Sequence, residues 1–325
     1  MEKYMRKKMN VRILLSVLAL AVMALAADLL GEKEVIFPEV AALAIGLWIA
    51  DKRIWNVHAY EVPLLMTISA VFGVLITTYI QVPILGQLTL AFFVSALLMT
   101  VMRIPLVPGI AAILLPVLLH TESWFYPLSV ALMTTIMAVG YILMQKYGLK
   151  SKLMPVGKRE GLTLTAVKTW IRRYLMLLPL FAVATWKGWL FAIVPPLVII
   201  LIELSNPKNM FRNRPIALWL TVVGVAVIGT LSRYLLMQTL ALPYAVAVSV
   251  SFFLAIVLMR RVGIMFPPIP ALAVIPFILP DTYLYFPIEV VFGGAYAVII
   301  PLLNSYCKRI KLFHYELVEE VEHRA

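Results

Sequence analysis

Two short proline-containing stretches are the places in this sequence where a binding site is most readily built. The first contains Pro108 and Gly109, and the second contains Pro267 and Pro268. Proline interrupts a continuous helix but fits well in the first turn of a new one. A helix that begins inside a membrane points the positive end of its dipole and its free backbone amides at any group in front of its first turn. These four residues are therefore predicted to shape a site for a small anion; the alternative is a pair of kinks that only let helices pack.

Few ionisable side chains lie within apolar stretches of the chain, and each such residue is a functional candidate. Glu39 and Glu289 lie just inside the ends of two apolar segments, and Glu203 lies near the end of a third. A substrate-binding or coupling role is predicted for each of the three, with Glu39 and Glu289 as the candidate site residues; the alternative is that all three lie close enough to an interface to remain hydrated. Arg233 is predicted to attract anions, although snorkelling to lipid headgroups is an alternative.

Catalytic and metal-binding motifs are missing from the sequence. It contains no glycine-rich phosphate loop, no nucleophile elbow and no zinc-peptidase motif. The four histidines and the single cysteine show no metal-ligand spacing. We therefore predict no catalytic residue, no cofactor and no metal, and we expect that the protein is not an enzyme.

The composition indicates which elements must position these residues. Hydrophobic residues make up 63% of the chain and charged residues 14%, against about 45–50% and about 25% in soluble domains. Runs such as 62–80 and 241–259 are long enough to cross a hydrocarbon layer of about 30 Å as helices. The net charge of +12 resides in short segments between these runs, a pattern typical of membrane topology signals and not of nucleic-acid binding.

An internal repeat organises the chain. When residues 92–127 are placed over 252–287 without gaps, identical residues include the pairs Pro108/Pro268, Pro116/Pro276 and Pro127/Pro287. Prolines are costly inside helices and do not coincide readily by composition alone. The sequence therefore predicts two tandem copies of one six-segment unit.

The predicted fold is an all-α polytopic bundle of about twelve spans, arranged as two parallel repeats whose fifth segments are short and broken by proline. The predicted segments are 11–29, 35–50, 62–80, 87–103, 104–119 and 126–145, then 172–187, 189–204, 215–236, 242–259, 264–280 and 286–306. Residues 13–25 also have the form of a secretory signal, but a counterpart later in the chain favours a retained span.

The distribution of positive charge predicts the topology. If the fifth segments cross the membrane, all 28 Lys and Arg residues except Lys33, Lys187 and Arg233 fall on one side. Re-entrant fifth segments would divide the basic residues evenly, so the positive-inside rule favours crossing, with both termini cytoplasmic. The predicted domains are a first repeat (1–149), a basic cytoplasmic linker (150–170), a second repeat (171–306) and a charged cytoplasmic tail (307–325).

The order of features resembles the HPP family of integral membrane proteins, which carries a His-Pro-Pro-Ala-Gly-Ala-like motif after an apolar helix that ends in a basic residue. Here Arg260-Arg261 precede Phe266-Pro267-Pro268-Ile269-Pro270-Ala271, and Arg103 precedes Leu106-Val107-Pro108-Gly109-Ile110-Ala111. Phe266 and Leu106 replace the family's histidine, and two units replace the usual one. The resemblance implies nitrite or another small anion as the solute.

The sequence therefore predicts a transporter or channel for a small, anionic solute in the cytoplasmic (inner or plasma) membrane. The lipid bilayer and the solute are the expected partners, nucleic acid is not expected, and the oligomeric state stays open. Two alternatives remain. One is an exporter of larger amphipathic or aromatic acids, suggested by aromatic residues along the helices. The other is a non-transporting scaffold whose basic cytoplasmic face binds lipid or a partner protein.

Overall fold

The chain folds into helices joined by short turns. The computed structural model describes residues 2–151 and 156–322, and no β-strand occurs in those ranges. The α-helices are α1 (Glu2–Leu30), α2 (Glu39–Leu43, continued by a π-turn at Ala44–Ile49), α3 (Glu61–Tyr79), α4 (Ile84–Val101), α5 (Pro108–Leu119), α6 (Phe125–Lys146), α7 (Leu164–Lys187), α8 (Pro195–Leu204), α9 (Pro215–Ser232, continued by a π-turn at Arg233–Thr239), α10 (Tyr244–Val262) and α11 (Phe286–Glu322). Single 3₁₀ turns lie at Lys33–Val35, Leu190–Ile193, Met210–Asn213, Ile269–Ala273, Ile275–Phe277 and Asp281–Tyr285. The all-helical fold class is confirmed.

Seven helices in the described ranges are long and apolar enough to cross a membrane. They are Lys7–Leu30, Glu61–Tyr79, Ile84–Val101, Phe125–Lys146, Pro215–Thr239, Tyr244–Val262 and Tyr283–Asn304. Large apolar side chains on their outer faces are exposed, as in the α1 stripe Leu14, Leu18, Val22, Leu25 and Leu29. An apolar stripe at helical spacing on the outside of a bundle would aggregate in water but is suited to lipid. The protein is therefore an integral membrane protein.

Four short segments occupy the centre of this ring of long helices. They are α2 with its π-turn, α5, α8 and the stretch of 3₁₀ turns from Ile269 to Phe277, which we call the central segments. Because the sequence predicts that proline breaks α5 and the stretch from Ile269 to Phe277, we call these two the first and second broken segments. Nearly all their residues are buried, including each residue of α2 and of Ile269–Phe277. Among them, α5 packs on α8 and on α2, whereas Ile269–Ala273 packs on α2 and on α8. At 1.5 Å per residue, the 12 residues of α5 extend about 18 Å, too short to cross the hydrocarbon layer alone.

Close backbone contacts seat two central segments against long helices. A Cβ atom on Gly73 of α3 would lie 2.7 Å from the Ile113 carbonyl oxygen of α5, and one on Gly229 of α9 would lie 2.9 Å from the Ala273 carbonyl oxygen. No side chain fits at such distances, so glycine permits the contact.

The bundle has two distinguishable ends. At one end, which we call the linker end, the described part of the connection between α6 and α7 packs against the start of α3: Arg159 pairs with Glu61, and Gly157 exchanges hydrogen bonds with Asn56. At the other, the opposite end, Ser129 at the start of α6 donates a hydrogen bond to the Val35 carbonyl. Every central segment runs between these two ends.

The structure departs from the sequence predictions in places. Helix α7 begins at Leu164, eight residues before the predicted 172, because the Thr163 hydroxyl caps it by accepting a hydrogen bond from the Ala166 amide at 3.1 Å. The last predicted segment ends at residue 306, whereas helix α11 continues to Glu322. Residues 152–155 of the predicted linker lie outside the described residues.

Candidate functional site

The two proline-containing stretches both lie at the linker end, at the start of a central segment. Pro108 is the first residue of α5, as predicted. The predicted new helix at Pro268 is instead a 3₁₀ turn from Ile269 to Ala273. Pro270, which the first stretch lacks, contributes to this difference because proline disfavours the α-helical conformation of the residue before it, here Ile269.

The amides at these two starts already have partners. Gly109 N donates to the Leu106 carbonyl at 2.9 Å, and Ile110 N donates to the Val107 carbonyl at 3.0 Å. In the second half, Ile269 N donates to the Phe266 carbonyl at 3.2 Å. An anion at Pro108 and Gly109 or at Pro267 and Pro268 would therefore use amides deeper in each turn, or would require these short-range bonds to open.

A buried hydroxyl beside Gly109 is a polar group that the sequence predictions missed. Ser69 of α3 is fully buried, and its Oγ has no hydrogen-bond partner among the described residues. A Cβ atom on Gly109 would lie 3.6 Å from that oxygen, which shows how close the hydroxyl is to the start of α5. A lone serine in an apolar helix gives no signal in a sequence, because serine is common in such helices.

Arg233 lies at the opposite end, where it binds backbone and not solvent. It begins the π-turn that continues α9 and is 7% exposed. Its Nη1 donates to the carbonyls of Pro276 and Leu279 at 2.5 and 2.7 Å, and its guanidinium lies 3.9 Å from the centre of the Tyr283 ring. Arg233 thus anchors the end of the second broken segment, where proline leaves carbonyls without helical partners, and it does not snorkel.

Glu289 caps a turn beside a pocket at the opposite end. Its Oε2 accepts a hydrogen bond from Phe191 N at 2.7 Å, in the 3₁₀ turn before α8. The adjoining pocket has a volume of about 450 Å³ and is lined mainly by apolar side chains of α5, α8 and the second broken segment. Its titratable residues are His120, Tyr285 and Glu289. The pocket borders three central segments at the opposite end of the bundle.

Glu39 lies on the short helix α2 and Glu203 on the short helix α8, at opposite ends of the bundle. Glu39 begins α2 and is 0% exposed. Glu203 ends α8 at the linker end, where its Oε1 accepts a hydrogen bond from Trp55 Nε1 at 3.4 Å. The structure therefore separates the predicted site residues into two sets: the four proline and glycine residues at the linker end, and Glu39, Glu289 and Arg233 at the opposite end.

No family model, no curated protein and no solved structure matches this chain. The resemblance to the HPP family therefore rests on the residues that carry it. In the structure, Pro108 with Ala111 and Pro268 with Ala271 hold corresponding places at the starts of two central segments.

Proposed function

We propose that this protein moves a small solute across the cytoplasmic membrane, as a transporter or channel and not as an enzyme. The observation that carries the proposal is the set of four short central segments inside a ring of membrane-length helices. Such segments end within the bilayer, and irregular backbone at that depth is tolerated only when protein buries it or when it borders an aqueous path. Broken segments in corresponding positions of two halves are typical of transporter substrate sites.

The order and packing of elements support a duplication. In each half a long helix is followed by a 3₁₀ turn, a short buried helix, two long helices, a broken segment and a final long helix. The packing is also reciprocal: α1 contacts α10 of the other half, and α7 contacts α4. We infer two parallel repeats and twelve membrane segments in all, related by a pseudo-two-fold axis along the membrane normal, with the domain boundaries given above.

The same proposal assigns the orientation from charge. The linker end carries the basic connection and the C-terminal ends of α4, α6 and α10, including Arg260 and Arg261. Basic residues are retained on the cytoplasmic side, so we infer that the linker end and both termini are cytoplasmic. The pocket beside Glu289 then opens to the outside.

A small anion such as nitrite is the solute class that we propose. The 3₁₀ turn before α8 already binds one carboxylate, that of Glu289, through the Phe191 amide. Amides at the start of a helical segment suit an anion because they provide donors and a favourable dipole. An incoming anion would compete with Glu289 for these amides at the wall of the pocket and would then pass to the proposed site at the starts of the proline-broken segments, at Pro108 and Pro268.

Specific observations also favour each alternative. The pocket volume of about 450 Å³ falls within the range of about 300–1,000 Å³ typical of sites for larger organic ligands, which suits an exporter of amphipathic or aromatic acids. The scaffold alternative draws on the basic linker end, which would bind anionic lipid or an acidic partner.

Flux through reconstituted vesicles tests the proposal. Purified protein in liposomes is assayed for nitrite, nitrate, formate and chloride against empty vesicles. We expect saturable flux of one anion that falls at least tenfold in Pro108→Ala/Pro268→Ala. The matched control is Pro243→Ala, at an exposed proline preceding α10. If folded protein carries none of these anions, the small-anion proposal is wrong. Uptake of aromatic acids would then favour the exporter, and its absence the scaffold.

A further inference from the structure

Glu39 is a carboxyl group enclosed by protein without a partner. It is 0% exposed, and neither carboxyl oxygen has a hydrogen-bond partner among the described residues. Its own backbone amide points toward the carboxyl but does not meet the geometry of a hydrogen bond. A buried ionised carboxylate without compensation is strongly disfavoured, because it loses its hydration and gains nothing in return.

The other glutamates in apolar surroundings differ from Glu39 in this respect. Glu61 forms two hydrogen bonds to the Arg159 guanidinium at 2.7 and 2.8 Å. Glu203 accepts from the Trp55 indole, and Glu289 accepts from the Phe191 amide. Each of these three carboxylates therefore has a hydrogen-bond donor, whereas neither oxygen of Glu39 has one among the described residues.

No positively charged side chain of the surrounding elements pairs with Glu39 among the described residues. The helix α6 contributes Tyr126, whose hydroxyl donates to the Ala112 carbonyl at 3.0 Å. The turn Ile269–Ala273 and the body of α5 contain no ionisable residue. The charged or titratable groups of neighbouring elements at this end include Asp28 at the end of α1, Lys33 and Glu34 in the preceding turn, and His120 after α5; of these Asp28, Lys33 and His120 are exposed. The basic residues of α1 and α6 lie at the linker end, and the described residues include no ion pair to Glu39.

The start of α2 stabilises a negative charge through the helix dipole, but this effect is smaller than the cost of burying an ion. A metal ion is not a substitute, because no cluster of three or more potential His, Cys, Asp or Glu ligands occurs in the described ranges. A single proton removes the charge and requires no further ligand.

We propose that Glu39 binds a proton in this conformation and is the proton-coupling site of the transporter. This inference rests on the proposed function. Glu39 is the first residue of α2, and α2 of the first half packs on Ile269–Ala273 of the second half. Separation of these two central segments would hydrate the carboxyl, which then releases its proton to water; closure requires that it bind one again. In the proposed cycle the carboxyl binds its proton while it is open to the outside and releases it while it is open to the cytoplasm, so one proton crosses in the same direction as the anion.

Infrared spectroscopy tests the protonation directly and does not depend on transport. At neutral pH we expect the wild-type protein to show the carbonyl-stretch band of a protonated carboxylic acid. The band should be absent in Glu39→Gln and unchanged in Glu289→Gln, a glutamate whose carboxylate has an amide partner. If the wild type and Glu39→Gln give the same spectrum in this region, the inference is wrong. Should Glu39→Gln fail to fold, Glu39→Asp provides the comparison, because it keeps an acid whose band shifts.

Proton-driven uptake tests the coupling. In vesicles with an alkaline interior, the wild type should accumulate the transported anion above its external concentration. Glu39→Gln should retain downhill flux and lose that accumulation. Accumulation equal to the wild type in Glu39→Gln would overturn the coupling role even if the infrared band is present. Absence of any anion flux from wild-type and variant proteins that still differ in the band would refute the proposed function and not the protonation.

Discussion

The two ends of the molecule treat buried charge in different ways. At the linker end, Glu61 and Arg159 have side chains only 10% and 12% exposed and form a two-pronged ion pair. At the opposite end, Arg233 is bound to backbone carbonyls and Glu39 has no partner among the described residues. Matched charges rigidify a structure, whereas an unmatched charge makes one protonation state or one conformation costly. The comparison indicates a fixed linker end and an opposite end at which a change of protonation state or conformation is possible.

The largest expected effect tests the fixed end. Glu61→Gln removes a carboxylate that satisfies Arg159 and leaves a guanidinium nearly buried without its counter-ion. We expect a loss of about 3–5 kcal/mol in the free energy of unfolding, measured by denaturant titration in detergent. The double variant Glu61→Gln/Arg159→Gln should recover part of this loss. A loss below about 1 kcal/mol would mean that the pair behaves like an exposed salt bridge, and the contrast between the ends would disappear.

A smaller effect is expected at Arg233, where the opposite end anchors its broken segment. Arg233→Ala leaves the Pro276 and Leu279 carbonyls without their donor, and each buried acceptor costs about 1–3 kcal/mol when unsatisfied. We expect a net loss of about 2–3 kcal/mol in thermal or denaturant unfolding. Arg260→Ala, at an exposed arginine of the linker end, is the matched control and should change stability little. Equal effects of the two substitutions would contradict the anchoring role.

The sequence predicts the existence of the helices better than the environment of the charged residues. Apolar runs and Pro108 locate α5 because hydrophobicity and proline geometry act locally. The partners of Glu61 and Arg233 lie 98 and more than 40 residues away, and only the packed fold brings them together. For the same reason the isolation of Glu39 could not be deduced: whether a carboxyl has a partner depends on helices that meet in three dimensions. Pro270 and Pro276 do indicate a broken segment, but they do not distinguish a short helix from 3₁₀ turns.

A third prediction concerns a cation just outside the helices at the linker end. Lys150 donates hydrogen bonds to the Leu47 and Ala50 carbonyls at the end of α2. Burial, together with the nearby positive charge of Arg12, lowers the pKa of Lys150 from 10.5 to about 8. Above that pH the unfolded chain binds more protons than the folded chain, so stability contributed by this residue rises with pH.

Relative to Lys150→Met, the free energy of unfolding of the wild type should rise by about 1 kcal/mol over the first pH unit above about 8. Denaturant unfolding at several pH values measures this rise. The gain should level off as the pH approaches 10.5, the ordinary pKa of lysine, because the residue is then neutral in both states. A difference between the two proteins that does not change with pH would show that Lys150 keeps its ordinary pKa, and that the linker end compensates it as fully as it does Arg159.

The smallest expected effect is the most informative, because it applies one substitution to both ends. Glu39→Gln replaces a carboxyl group that we infer to be protonated with an amide of nearly the same shape, which also carries one carbonyl and one donor group. The free energy of unfolding at neutral pH should change by about 0.5 kcal/mol or less, whereas Glu61→Gln should be severely destabilising. A large loss in Glu39→Gln, measured in the same unfolding assay, would mean that Glu39 is ionised and held by a compensating group. The two ends would then treat their carboxylates alike, and the basis for a proton-linked opposite end would be gone.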